Sequence, residues 1–185
     1  MVYLVRQCRT VLNAHGLLRG HLDPPLDDFG QEEAEALGRE VAGFHPELIL
    51  TSPLKRAVET AEAIGIHCGI RPHIENRLID RDYGRWAGVS PDEVLAEWGS
   101  LDAAPEVELV RSVFDRATAV LESVVTNKRV VIVTHAAISS LLMASLETGR
   151  PQSSGAYSQP TGCYSVIRHL EDGWTILEIG IVPHK

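Results

Sequence analysis

The sequence predicts an α/β fold: a single-domain, three-layer sandwich in which a mostly parallel sheet carries helices on both faces. Three observations predict it. Short uncharged runs at Val2 to Val5, Leu48 to Leu50 and Val130 to Val133 have the length and composition of strands buried on both sides. Longer segments with apolar residues at helical spacing alternate with these runs, and alternation of this kind builds a parallel sheet. Each run also gives way directly to polar residues, Arg6 to Thr10, Ser52 to Arg56 and Thr134-His135. An open α/β sheet forms its ligand crevice there, beyond the carboxyl ends of its strands.

Taken in order, the first strand ends near Arg6, and a Gly- and Pro-containing stretch from Gly16 to Pro25 reads as loop. Gln31 to Val41 places Ala34, Leu37 and Val41 on one helical face with glutamates opposite. After the second strand, Ser52-Pro53 supplies an N-cap and a proline at the first helical position, and Ala57, Ala61 and Ile64 give that helix an inward stripe. His67 to Gly88 reads as a short strand leading into a long functional loop. Pro91 to Trp98 predicts a short helix, and Val110, Val113, Phe114, Ala117, Val120, Leu121 and Val124 trace a longer one. Ala136 to Leu146 is helix again. Cys163 to Arg168 and Trp174 to Ile181 close the chain as two strands around an Asp172-Gly173 turn.

Composition narrows the function. At 185 residues the chain matches one domain, and 44% apolar with 23% charged residues leaves no tract for disorder or a repeat array. A net charge of −8 argues against nucleic acid or an anionic membrane as partner, because both would repel it. The longest stretch without a formal charge, Val130 to Leu146, falls short of the ~20 apolar residues of a membrane span and is interrupted by His135, Ser139 and Ser140. Cys8, Cys68 and Cys163 are odd in number with no CxxC spacing, which predicts a reducing compartment, the cytoplasm, and no export signal is read at the start. His15, His21, His45, His67, His73, His169 and His184 show no HExxH-type spacing, so no metal and no cofactor are assigned. The sequence specifies no oligomeric state.

An acidic protein can still hold phosphate where arginines cluster locally, through charge-assisted and bidentate hydrogen bonds. The segment Ser52 to Ala61 reads as such an anion site: a capped helix start with free N–H groups, a positive dipole end, and Arg56 close by.

The order of these segments resembles the histidine phosphatase superfamily, the phosphoglycerate mutase-like fold, over nearly the whole chain. That family opens with Leu-Val-Arg-His-Gly-Glu-Thr after a strand; this chain has Leu4-Val5-Arg6-Gln7-Cys8-Arg9-Thr10, with Asn13 where the family has asparagine. Arg19 to Leu26, with Gly30 and Ala34, is similar to its second stretch. Ser52-Pro53-Leu54-Lys55-Arg56-Ala57, with Thr60-Ala61, matches its Ser-Pro-x-x-Arg-Ala motif. Leu78 to Gly88 resembles the loop of the proton donor, and Val133-Thr134-His135-Ala136 resembles the strand end with the second histidine.

The resemblance implies roles. Arg6, Arg56 and His135 would surround a phosphoryl group, with Asn13 helping through its amide. Asp80, one methylene shorter than the family's glutamate, would protonate the leaving oxygen, with Asp82 the alternative. Gln7, Cys8, His21 and Ser52 would complete the substrate's surroundings. Gln7 takes the place of the histidine that attacks phosphorus, and an amide nitrogen delocalised into its carbonyl is no nucleophile, so a phosphoenzyme cannot form there. Mutase chemistry falls away with it. Cys8 beside Arg6 and Arg9 would gain reactivity from a lowered pKa, but the Cys-x5-Arg geometry is absent and a buried, inert cysteine is the simpler reading. Direct attack by water is the third route. Two functions follow: a hydrolase acting on a phosphorylated small molecule by an altered mechanism, or a non-catalytic member that binds a phosphorylated ligand or a protein. His135 with Asp80 favours the first, Gln7 the second. Substrate choice is expected in the loops from Trp98 to Val107 and Gly149 to Gly162.

Overall fold

A computed structural model describes residues 1–125, 128–149, 157 and 159–183. The elements run β1 (Val2–Arg6), α1 (Val11–Ala14), α2 (Asp28–Ala42), β2 (Leu48–Thr51), α3 (Lys55–Cys68), β3 (His73–Ile74), α4 (Pro91–Trp98), α5 (Val110–Ser123), β4 (Val130–Thr134), α6 (Ala136–Thr148), β5 (Tyr164–Leu170) and β6 (Gly173–Ile181). Short 3₁₀ turns lie at Asn76–Leu78, Gly84–Trp86 and Leu101–Ala103.

One six-stranded sheet has the order β3-β2-β4-β1-β5-β6. Its first four strands are parallel, while β5 and β6 are antiparallel additions. Period-two alternation makes the three layers. In β1 and β4, Val2, Leu4, Val130 and Ile132 face one core with α5 and α6, through Val113, Ala117, Leu121, Ile138 and Leu141. Tyr3, Val5, Val131 and Val133 face the other core with α2 and α3, through Leu37, Val41, Ala57, Ala61 and Ile64. Each such fully buried aliphatic side chain contributes roughly 1.5–3 kcal/mol. A smaller cluster of Leu18, Tyr83, Val94 and Ala104 ties α4 to the loops beyond the strand ends.

Two expectations change. The helix after β2 begins at Lys55, with Leu54 as an N-cap that makes no side-chain bond, so Ser52-Pro53 precedes the helix instead of capping it. The Ser52 hydroxyl lies 2.7 Å from Nε2 of His135, a tertiary partner 83 residues away. The hairpin also shifts by one residue: Gly173 is already in β6, paired with Leu170, and takes φ of +118°. Of the expected variable loop Gly149 to Gly162, residues 150–156 and 158 lie outside the described residues, as does His184. Among the described residues no helix is long and apolar enough to cross a membrane.

The start of α2 is fixed tightly to the segment after β1. Asp27 caps Gly30 N–H, its own N–H donates to the Arg9 carbonyl, and its carboxylate pairs with the Arg9 guanidinium at 3.0 Å. A Cβ on Gly30 would come within 2.0 Å of the Arg9 carbonyl oxygen. Gly30→Ala is therefore expected to lower stability by about 1–3 kcal/mol, although alanine in an open helix stabilises by up to about 1 kcal/mol. Urea unfolding would check it: a raised midpoint would show that the helix start moves away freely.

Candidate active site

The parallel register brings three chain ends together. Arg6 pairs with Thr134, Gln7 N–H donates to the Thr134 carbonyl at 2.8 Å, and Ser52 N–H donates to the Val133 carbonyl at 3.0 Å. His135 then follows β4 directly and stands as the N-cap of α6. Asp80 arrives from the loop after β3, which Thr134 meets by donating its hydroxyl to the Leu78 carbonyl.

At the centre, Arg56 and Asp80 form an ion pair of 3.0 Å with both side chains buried. Arg56 also donates to the carbonyls of Leu22 and Gly20, and Asp80 Oδ1 accepts from Arg81 N–H. Burial by itself pushes the Asp80 carboxyl up. His135, Arg56, Arg19 and the Arg81 N–H act against it, and the balance holds the carboxyl below its usual range. Burial drives His135 down to about 3 despite Asp80 at 3.8 Å, so the imidazole is neutral at pH 7. The fixed counter-charge of Asp80 is accordingly Arg56. The Ser52 oxygen accepts from Leu54 N–H and its hydroxyl shares a hydrogen bond with His135 Nε2, while His135 Nδ1 is buried without a hydrogen-bond partner.

Beside this centre opens a cleft of about 250 Å³, lined by Arg6, Arg19, Tyr83, Ala136, Ala137, Ser140, Tyr157 and Gln159. Arg6 Nε, Arg19 Nε and Gln159 Nε2 are buried there without hydrogen-bond partners. Burial, then the like charge of Arg19, pushes Arg6 down to about 10, which still leaves it protonated. Ala136 and Ala137 form the first turn of α6, whose N-cap residue, His135, makes no side-chain capping bond to the helix. Donors and positive charge thus converge on one open space, the requirement for an anion seat.

The structure gathers Arg6, Gln7, Ser52, Arg56, Asp80 and His135 around the strand ends. Arg56 lies in the cluster, but its guanidinium is occupied by Asp80 and two carbonyls and does not line the cleft. Gln7 is wholly buried and both its amide atoms lack partners. Cys8 does not line the substrate's surroundings: it packs in the core with Val5 and Ala34, its N–H bonds Thr60, and burial raises its thiol pKa. Arg9, expected to activate it, is spent on Asp27 and stacks over Phe29 at 4.1 Å. Asn13 caps α1 reciprocally with Thr10, whose N–H and hydroxyl its Oδ1 accepts. His21 edges the site indirectly, with Nε2 3.0 Å from the Asp80 carbonyl and Nδ1 3.7 Å from Asp82. The free helix start expected within Ser52 to Ala61 falls at Lys55, and it is already occupied, since Lys55 N–H donates to the chain's own Asp23 at 2.6 Å. Arg19, Tyr83, Tyr157 and Gln159 were not singled out from sequence, although each falls in a stretch the sequence marked: Arg19 in Arg19 to Leu26, Tyr83 in Leu78 to Gly88, and Tyr157 and Gln159 in the loop Gly149 to Gly162.

Protonation couples this centre to stability. His135 titrates at about 3 when folded against 6.5 when exposed, so the stability of its neutral form is present above pH 6.5 and is lost as pH falls toward 3. Asp80, also depressed, loses its part only below 3.8. His135→Gln is therefore expected to flatten the fall in urea midpoint between pH 6.5 and 4.5. Parallel profiles of wild type and variant would refute the assignment.

The fold is shared with known proteins. The histidine phosphatase superfamily (branch 1) model matches residues 2–182. The uncharacterized phosphatase PhoE of Bacillus subtilis is 32% identical over 187 aligned positions, 99% of this chain and 95% of that protein. Phosphoserine phosphatase 1 of Hydrogenobacter thermophilus is 29% identical, covering 98% of this chain and 92% of its own length. Among solved structures, the alpha-ribazole phosphatase of Shigella flexneri superimposes with a TM-score of 0.85 at 26% identity, over 98% of this chain and 96% of that one. The chain belongs to the histidine phosphatase superfamily.

Proposed function

We propose that this protein is a phosphomonoesterase acting on a phosphorylated small molecule by direct attack of water, because Gln7 stands where the family's attacking histidine stands. The observation that carries the reading is the pair of guanidiniums, Arg6 and Arg19, whose Nε atoms lack partners in a cleft next to the His135–Asp80 pair. Two cations match the charge of a phosphomonoester dianion, and a carboxyl beside an imidazole is more than a simple anion seat requires. Names among the relatives point the same way, to phosphoserine and to glucosyl-3-phosphoglycerate. Three free thiols suit a reducing, cytoplasmic setting.

The reaction balances with one water consumed. Water's oxygen bonds to phosphorus as the P–O bond to the leaving group breaks, its electron pair passing to the leaving oxygen. The Asp80 carboxyl delivers a proton to that oxygen. One water proton stays on the product phosphate, and the other returns through solvent to Asp80. Arg6 and Arg19 hold the equatorial oxygens, and His135 offers Nδ1–H to one of them. The buried Gln7 amide presents an empty acceptor and an empty donor, the equipment to orient a water without deprotonating it. A bound dianion raises the Asp80 pKa by like-charge repulsion, which charges the acid for its task.

Phosphate release over a panel of sugar phosphates, phosphoglycerates, nucleotides, O-phosphoserine and an aryl phosphate tests this. Wild type is expected to turn over, with Arg19→Gln raising KM by roughly 10-fold or more and His135→Ala lowering kcat by about 10²-fold. Because free Asp80 is ionised, kcat/KM is expected to fall as pH rises through neutrality while kcat holds further. The competing reading, a phosphate-binding protein without turnover, is favoured by Gln7. A silent wild type that gains activity as Gln7→His/Cys8→Gly would establish that reading instead.

A further inference from the structure

We propose that Arg116 is a positioning residue for catalysis: it holds the Asp80 carboxyl at the leaving oxygen by gripping the backbone that carries it. The inference rests on Asp80 being the proton donor. An aspartate has one methylene between backbone and carboxyl, so its reach is set by where the backbone lies. Around Asp80 the chain has little internal support. One 3₁₀ turn ends at Leu78 and the next begins at Gly84.

The support comes from α5. Arg116 donates through Nη1 to the carbonyls of Arg77 at 2.8 Å and Ile79 at 2.5 Å, and through Nη2 to the carbonyl of Asp80 at 3.1 Å. Nε and Nη2 together clasp the Glu108 carboxylate, both at 3.0 Å. All five guanidinium N–H groups are thereby used, a set of directions that the three donors of a lysine cannot supply. Glu108 completes the grip on the far side. Its Oε2 accepts from Asp82 N–H at 3.1 Å, its own N–H donates to the Asp82 carbonyl, and its carbonyl accepts Arg81 Nε. Arg116 and Glu108 are mostly shielded, with 16% and 21% side-chain exposure, so solvent competes weakly for these bonds. The peptide on each side of Asp80 is fixed, and its carboxyl is held from there by Arg56 and the Arg81 N–H.

A purely structural brace and a positioning residue differ in what their loss does to different substrates. An aryl phosphate has a leaving oxygen that departs without a proton, whereas an alkyl phosphate needs one. The experiment measures kcat and KM for p-nitrophenyl phosphate and O-phosphoserine with wild type, Asp80→Asn, Arg116→Ala and the double variant, alongside thermal unfolding. Arg116→Ala is expected to lower kcat on O-phosphoserine by about 10²-fold while p-nitrophenyl phosphate changes by no more than about threefold, with KM held on both. The double variant is then no slower than Asp80→Asn. Should Arg116→Ala not fold, Arg116→Lys and Glu108→Gln carry the comparison, with smaller losses of the same selectivity. Equal losses on both substrates, with Asp80→Asn still selective for the alkyl ester, would overturn the positioning role and leave the Asp80 assignment standing. Loss of selectivity in Asp80→Asn itself, or no turnover of either ester by wild type, would remove the assignment and this proposal together.

Discussion

The buried ion pair between Arg56 and Asp80 is the contact on which the rest of the site depends. It joins three segments that share no secondary structure: the first turn of α3, the loop through Gly20 and Leu22, and the loop after β3. Taking two charges out of water costs several kcal/mol each, and attraction in the interior repays this only when the remaining donors and acceptors are also met. Here two carbonyls and the Arg81 N–H meet most of them, and Arg56 Nε is the atom left over. Removing one partner would strand the other, so the pair locks the loops into one arrangement whether or not it adds net stability.

That lock also sorts the charges. Arg56 neutralises Asp80 within the protein, Arg9 is taken by Asp27, and Arg116 by Glu108. Arg6 and Arg19 are left facing the cleft. A protein carrying −8 overall can therefore present a strongly positive pocket, because burial weakens screening and a cleft focuses the field of the charges that line it. The acidic exterior and the cationic pocket are compatible because the pairing is local.

Much of this was legible. The layers follow from β1 and β4, whose alternate residues divide between two cores, and from helices whose apolar stripes recur at 3.6 residues. The gathering of Arg6, Ser52 and His135 follows from their places just beyond parallel strands. What failed was local reasoning at positions claimed from far away. Ser52-Pro53 has the form of a helix cap, but the hydroxyl belongs to His135; the open helix start at Lys55 was taken by Asp23, 32 residues earlier. Cys8 looked adjacent to two arginines in sequence, yet the chain beyond β1 turns its thiol into the core. Arg19 and Gln159 meet only through the fold, and no spacing rule links them to each other or to Arg6.

The position of Cys8 bears on the mechanism. A thiol beside two arginines could serve as a nucleophile, and here that route is closed twice over, by burial that raises the Cys8 thiol pKa and by the diversion of Arg9 to Asp27. In the proposed mechanism attack is therefore left to water. Asp80, which in the same mechanism protonates the leaving oxygen, is by contrast held by Arg56, His21 and Arg116 together. A displacement with a loose, dissociative transition state demands little of its nucleophile and much of the charge and proton placement around the departing group. On that physical ground the proposed reading, with Gln7 in the attacking position and Asp80 at the leaving oxygen, favours hydrolysis of phosphate esters over transfer of a phosphoryl group from one substrate to another.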